Sequence, residues 1–278
     1  MDTFWTILTG IFVGLPCALL GCFLLLRKMT MMGDAIAHAV LPGLVIAYLL
    51  AQSRATPILM LGAGLLGVFI TILIETLQKK AKMQPESSIG ISFTFLFAVG
   101  IILLTLLAGK IDLDQDCVLY GDIAYIVLKL GFWNIPSAVL TSGFWLLCVI
   151  IFIFLSYRSL WLTTFDKNYA QVIGISVVFW HYALMSAVSF TVVLSFEAVG
   201  AILVVAFLIV PAAAAYLVSK KMNMMLLLAC LISIIGVILG YFLAVFLNAS
   251  IAGSIVTSLG FLFLLVLFYS KVVTKKLI

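Results

Sequence analysis

The amino-acid sequence predicts an all-α protein: a polytopic transmembrane helical bundle of eight or nine spans, forming one domain over residues 1–278. Three observations carry this reading. Hydrophobic residues make up 66% of the chain and charged residues only 9%, where a soluble domain carries about 25% charged residues. Mean hydropathy is +1.37. The apolar residues fall into runs near the length of one bilayer crossing, roughly 20 residues. Backbone in hydrocarbon must satisfy its own polar groups, so each run is read as a helix.

The runs lie at about 4–26, 33–51, 57–78, 88–108, 135–156, 171–194, 199–219, 224–247 and 254–270. The first lacks a basic leader and a small-residue cleavage site, so it reads as a retained helix and not a signal peptide. The second is short and interrupted by Pro42, and the sixth is broken by polar residues, which keeps eight spans open beside nine. Basic residues follow alternate runs: Arg27 and Lys28, then Lys79, Lys80 and Lys82, then Arg158 and Lys167, then Lys220 and Lys221, then Lys271, Lys275 and Lys276. Only Arg54, Lys110 and Lys129 fall on the other side. The positive-inside rule then places the N-terminus outside and the C-terminus in the cytoplasm. The net charge of +5 thus reports topology and gives no ground for a nucleic-acid partner. The cysteines (Cys17, Cys22, Cys117, Cys148, Cys230) form no CxxC or Cys/His spacing, so neither a thiolate site nor a disulfide framework is indicated.

The chemistry concentrates in the second run, Met31-Met32-Gly33-Asp34-Ala35-Ile36-Ala37-His38-Ala39-Val40-Leu41-Pro42-Gly43, which holds one of the chain's two histidines. Asp34 and His38 stand at i and i+4, one turn apart on one helix face. Ionisable residues within a span are costly and mark function. A carboxylate and an imidazole in this register suit a divalent transition metal. The structural alternative is a helix cap at Asp34 and an interhelical hydrogen bond from His38.

Gly33, Ala35, Ala39 and Gly43 give this helix a small surface, with Pro42 as its kink. The seventh run repeats the pattern, from Gly200-Ala201 to Pro211-Ala212-Ala213-Ala214-Ala215. Small residues let helices approach closely, and a proline frees one hydrogen bond. Two such helices suggest a tightly packed pathway. Glu197 lies near the outer end of that region and either snorkels or lines an entry path. His181, between Trp180 and Tyr182, reads as a structural interfacial residue. Glu75 is expected to reach the inner interface and pair with Lys79 at i+4.

Two connecting segments stand out. The outer loop from about 109 to 134 carries Asp112, Asp114, Asp116 and Asp122. Cys117 and Ile123 occupy the positions where an EF-hand needs its turn glycine and bidentate glutamate, so no calcium loop is read there. The inner segment Tyr157–Gly174 contains Asp166, a plausible N-cap for a short amphipathic turn ending near a glycine, which serves either as a docking element for a soluble partner or merely as a link between spans. Phosphate-loop, GxSxG, HExxH and dinucleotide fingerprints are missing. The chain is therefore read as no enzyme, and any ATPase driving it must be another polypeptide.

The run from Met32 to Gly43 closely resembles the signature of the permease subunits of bacterial ABC transporters for zinc and manganese. Asp112-Leu113-Asp114 with Val118-Leu119-Tyr120-Gly121 is similar to that family's outer-loop stretch. Asp166-x3-Ala170-x3-Gly174 is similar to its cytoplasmic segment that meets the ATPase. The stretch from Gly200 through Pro211 to Ala215 is similar to its late-helix signature. The four motifs occur in order over most of the chain.

The resemblance implies a multi-pass protein of the bacterial plasma membrane working as a homodimer. Its other partners would be two cytoplasmic ATPase subunits and an extracytoplasmic metal-binding protein. It implies that Asp34 and His38 are metal-pathway residues, that zinc or manganese (with Fe(II) as a third option) is the cargo, and that no cofactor is permanently bound. A two-fold axis would bring two carboxylates and two imidazoles together, an N/O set of four ligands. One departure stands out: where the family usually carries an Asp and a Thr-Gly-like turn before the last span, this chain reads Asn248-Ala249-Ser250-Ile251-Ala252-Gly253-Ser254. Competing readings are a carrier driven by an ion gradient, which would favour inverted repeats and further intramembrane acids, an intramembrane enzyme, and a permease for bulky chelates.

Overall fold

The computed structural model describes residues 2–51, 56–107 and 136–275. These residues form α1 (Asp2–Leu26), α2 (Met31–Ala51), α3 (Thr56–Lys80), α4 (Pro85–Leu107), α5 (Ser137–Phe165), α6 (Lys167–Val172), α7 (Val177–Val199), α8 (Ala201–Val218), α9 (Met222–Leu247) and α10 (Ile251–Lys275). Among the described residues nine helices are long and apolar enough to cross a membrane. The acidic outer loop, with Asp112, Asp114, Asp116, Asp122 and the Val118–Gly121 stretch, lies outside the described residues, as do Arg54, Lys110, Lys129 and Lys276.

α1 is the centre of one half of the bundle, packed by α5, α7, α8 and α9. α2 is the centre of the other, between α3, α4, α7 and α8. The shared core joins Leu20, Phe23 and Leu24 of α1 to Leu203, Phe207 and Leu208 of α8 and to Met32 and Ile36 of α2. Lipid tails are as apolar as leucine, so close packing and interhelical hydrogen bonds hold such helices together. Ser258 donates to the Gly236 carbonyl at 2.6 Å, Ser189 to the Gly64 carbonyl at 2.8 Å, and Trp145 to Thr191 at 2.8 Å.

The helix ends sort into two groups. At one end Arg27 reaches Thr163 and Thr164, Gln78 reaches Ser88, Tyr157 reaches Asn223, and Ser270 reaches the Leu217 carbonyl. At the other, Tyr241 bonds Thr3. Every described Lys and Arg belongs to the first group, hereafter the basic end.

Boundaries shift at the fifth, sixth and seventh spans, and the last helix runs to Lys275 and not to about residue 270. The fifth helix does not stop near residue 156 but runs to Phe165. Nothing between Tyr157 and Phe165 breaks a helix, and polarity there reflects only arrival at the interface. The sixth span begins at Val177 and ends at Val199, because Gly174 adopts the left-handed conformation, φ 85°, and Ser176 starts a new helix by accepting from the Phe179 N–H. The seventh begins at Ala201, since Gly200 (φ 80°, ψ 166°) separates it from α7 in a region only glycine occupies readily.

Between α5 and α7 the Asp166-x3-Ala170-x3-Gly174 pattern has a mechanical reading. Asp166 Oδ1 accepts from the Tyr169 N–H at 2.9 Å and caps α6. Ala170 is its buried anchor. Gly174 ends it: the Ile175 N–H bonds the Ala170 carbonyl and the Gly174 N–H the Gln171 carbonyl, the paired bonds of a Schellman stop. At the altered turn, Asn248 caps α9 in the left-handed conformation, φ 50° and ψ 43°, which Asn tolerates better than other non-glycine residues.

Candidate functional site

Asp34 stands in the first turn of α2, at the basic end. The positive end of the helix dipole there favours a carboxylate. His38 follows one turn later on the same face. Its Nε2 lies 3.6 Å from Asp34 Oδ1. That is too long for a hydrogen bond, so neither group spends its lone pair on the other. Their side chains are 37% exposed for His38 and 40% for Asp34, whereas Ala35, Ile36 and Ala39 on the same helix are fully buried. The pair therefore faces out of the single chain, not into its core.

A 3.6 Å gap between an imidazole nitrogen and a carboxylate oxygen is what one ion can bridge. With metal–ligand distances of about 2.1 Å, it subtends an angle of roughly 120°. The chain alone does not complete a coordination sphere: among the described residues no group of three or more His, Cys, Asp or Glu side chains gathers.

Sequence reasoning missed the aromatic frame around His38. Phe93 of α4 lies against the imidazole with centroids 5.3 Å apart and planes at 24°. Phe97, one turn on, meets it edge-on at 5.9 Å. The i, i+4 spacing of the two phenylalanines was visible, but not which helix they would face.

The small residues do what their size predicts. A Cβ on Gly43 would lie 2.7 Å from the Ala63 Cα, and one on Gly62 2.3 Å from the Ala47 Cβ, so α2 and α3 touch backbone to backbone. A Cβ on Gly33 would come within 2.9 Å of the Leu208 side chain, which brings α8 beside the start of the metal-candidate helix. Pro42 and Pro211 lie buried within α2 and α8, and Gly200 is buried at the α7–α8 break. Glu197 lies in the last turn of α7, at the end opposite the basic one.

A second polar cluster lies where the sequence suggested an interfacial histidine. Glu75 takes Lys79 at 2.7 Å, as its spacing predicts. It also accepts from Tyr182 at 3.1 Å and pairs with His181. Its side chain is 9% exposed, so it is buried between α3 and α7. His181 is held by that carboxylate as well as by its aromatic neighbours.

Over residues 2–270 the sequence matches the ABC 3 transport family. It is 38% identical to the manganese transport system membrane protein MntD of Bacillus subtilis, an alignment covering 98% of this chain and 95% of MntD. It is 38% identical to the zinc transport system membrane protein TroD of Treponema pallidum, covering 96% of this chain and 74% of TroD. Its fold is similar to a chain of PsaBC from Streptococcus pneumoniae, solved in complex with Fab, with a TM-score of 0.79 and 30% identity over 94% of this chain and 89% of that one.

Proposed function

This chain belongs to the ABC 3 transport family, and from that premise we propose that it is the permease subunit of a bacterial importer for a divalent transition metal, zinc or manganese, with Fe(II) as a third option. The observation that carries the reading is the Asp34/His38 pair: two unspent donors 3.6 Å apart on the outward face of a membrane helix. Half-exposed ionisable groups at that depth need a covering surface. A second copy of the chain supplies one. Two-fold symmetry would oppose two such pairs, giving two nitrogens and two carboxylates. A carrier must also release its ion, so a site completed only when two chains meet suits transport better than a closed four-ligand cage.

In this reading the basic end faces the cytoplasm. There α6 and its C-cap present Tyr169, Val172 and Ile173, all exposed, on a helix stiffened by its caps. Exposed apolar residues at a polar end suit a protein partner, here the ATPase subunit. The opposite end, with the loop after α4, would meet the extracytoplasmic metal-binding protein. Hydrolysis elsewhere would shift the dimer between outward- and inward-facing states, and the ion would pass along α2. One contiguous core from α1 to α10 supports a single domain.

The test is metal accumulation in cells stripped of their own uptake systems, expressing this chain with its ATPase and binding protein. Zinc, manganese and iron are offered in parallel. Uptake of one metal that requires the ATPase is the expected result. Uptake without the ATPase would replace this reading by a gradient-driven carrier. Assembly without uptake of any metal would remove the metal reading altogether.

The aromatic frame gives a finer expectation. Phe93→Leu removes the surface that holds the imidazole plane. Aromatic pairs contribute about 1 kcal/mol beyond burial, so KM for the metal is expected to rise about fivefold with the maximal rate little changed. An unchanged KM would mean that His38 needs no such support.

A further inference from the structure

The described residues hold two polar clusters that the ion path does not use, and they flank α6 on either side. The first is Arg27, in the turn between α1 and α2. Its Nε donates to Thr164 at 3.0 Å and its Nη2 to Thr163 at 2.9 Å. Those threonines close α5, just before the residue that caps α6. Burial pushes the guanidinium down to about 10, so it remains charged at neutral pH. The second is the Glu75–His181 pair with Lys79 and Tyr182 around it. His181 stands in the second turn of α7, just after α6.

α6 packs chiefly on α5 and α7, so a push on it leaves through those two helices. Arg27 ties the end of α5 to the turn that begins α2, where the Met32 N–H bonds the Met29 carbonyl and the Gly33 N–H the Thr30 carbonyl. Glu75 ties the start of α7 to α3, which meets α2 at Gly43 and Ala63 and at Gly62 and Ala47. Apolar contacts also join these helices, and the interlocked Gly and Ala positions carry the push from α3 to α2. Charge-assisted hydrogen bonds are directional and fix register.

We propose that Arg27 and the Glu75–His181 pair are the positioning residues through which movement of α6 reaches α2 and re-aims Asp34 and His38. The proposal rests on the reading of α6 as the ATPase-facing segment. It requires that removing these contacts separate hydrolysis from transport without dismantling the complex.

Arg27→Met is the clean variant. Thr163 keeps its own bond to the Ser159 carbonyl and Thr164 its bond to the Leu160 carbonyl, so no buried donor is orphaned and the chain is expected to fold. In liposomes holding the whole transporter, metal moved and phosphate released are measured together. Arg27→Met is expected to hydrolyse ATP within about twofold of wild type while metal moved per ATP falls at least about tenfold. Arg27→Lys, which keeps the charge and one donor, is expected to recover part of the loss. Glu75→His and His181→Glu should each uncouple, and the two together should restore transport to within about threefold of wild type. Unchanged metal per ATP in Arg27→Met, or transport and hydrolysis falling in parallel across the series, would overturn the proposal. If the pair variants fail to assemble, Arg27→Met alone decides. A wild-type complex that moves no ion overturns the transport reading on which the proposal stands.

Discussion

Cells carrying Asp34→Ala with His38→Ala are expected to accumulate metal at background, a loss of at least about 100-fold with the complex still assembled. The two substitutions strip α2 of its one carboxylate and its one imidazole. In a dimer they remove four donors at once. Phe93 and Phe97, which flank the imidazole, offer an ion no lone pair in its place. Desolvating a charge without replacement ligands costs many kcal/mol, far more than the loss stated. Each single substitution is expected to lose nearly as much as the double, because ligands of one ion act as a unit. Asp34→Asn separates charge from shape: it keeps an oxygen donor but lowers affinity. Radioisotope uptake normalised to membrane-assembled complex is the measurement. Wild-type uptake by the double variant would show that the ion travels elsewhere, and the pair would then be a capped helix start and a stacked histidine.

How much of this was legible in the sequence depends on whether the deciding contact is local. Asp34 and His38 share one helix, so a period of 3.6 residues is enough to pair them. The capped helix α6 was legible for the same reason: its N-cap, anchor and stop lie within nine positions, and each has a residue type suited to it. Glu75 shows the limit. Its i+4 partner Lys79 could be read, but Tyr182 lies 107 positions away, and no periodicity points from α3 to α7. The threonines that receive Arg27 are 136 and 137 positions distant, and alone they look like ordinary interfacial residues. α5 ran past its expected end because polarity marks where lipid stops, not where a helix stops. Only a residue such as Asp166, whose side chain competes for the backbone, does that. Nothing local singles out Phe93 and Phe97; their role follows only from the packing of α4 beside α2.

Replacing Gly21 is expected to do more damage to stability than any other single methyl added to the bundle. A Cβ there would lie 2.0 Å from the Leu208 carbonyl oxygen and 2.9 Å from its carbon. Those atoms are backbone, so no side-chain rotation relieves the clash, and α1 and α8 must move apart by more than about 1 Å. Pro211 follows three residues later and removes the bond that would otherwise anchor the Phe207 carbonyl. This is the turn of α8 where two backbones come closest. Separation would also draw Leu208 from its place beside Gly33, at the start of the metal-candidate helix. In a membrane, lost packing is not compensated by a hydrophobic drive to reassociate. Overpacking of this kind costs about 1–3 kcal/mol even where side chains can yield. Gly21→Ala is therefore expected to lower the melting temperature of the solubilised protein by about 8 °C, and Gly21→Val to prevent stable accumulation. Gly90→Ala is the control. A Cβ there meets nothing within 4 Å, and alanine favours the helix by about 1 kcal/mol, so it should melt at or above wild type. Equal melting of Gly21→Ala and Gly90→Ala would mean that α1 and α8 do not touch backbone to backbone, and the core described here would need a different pairing.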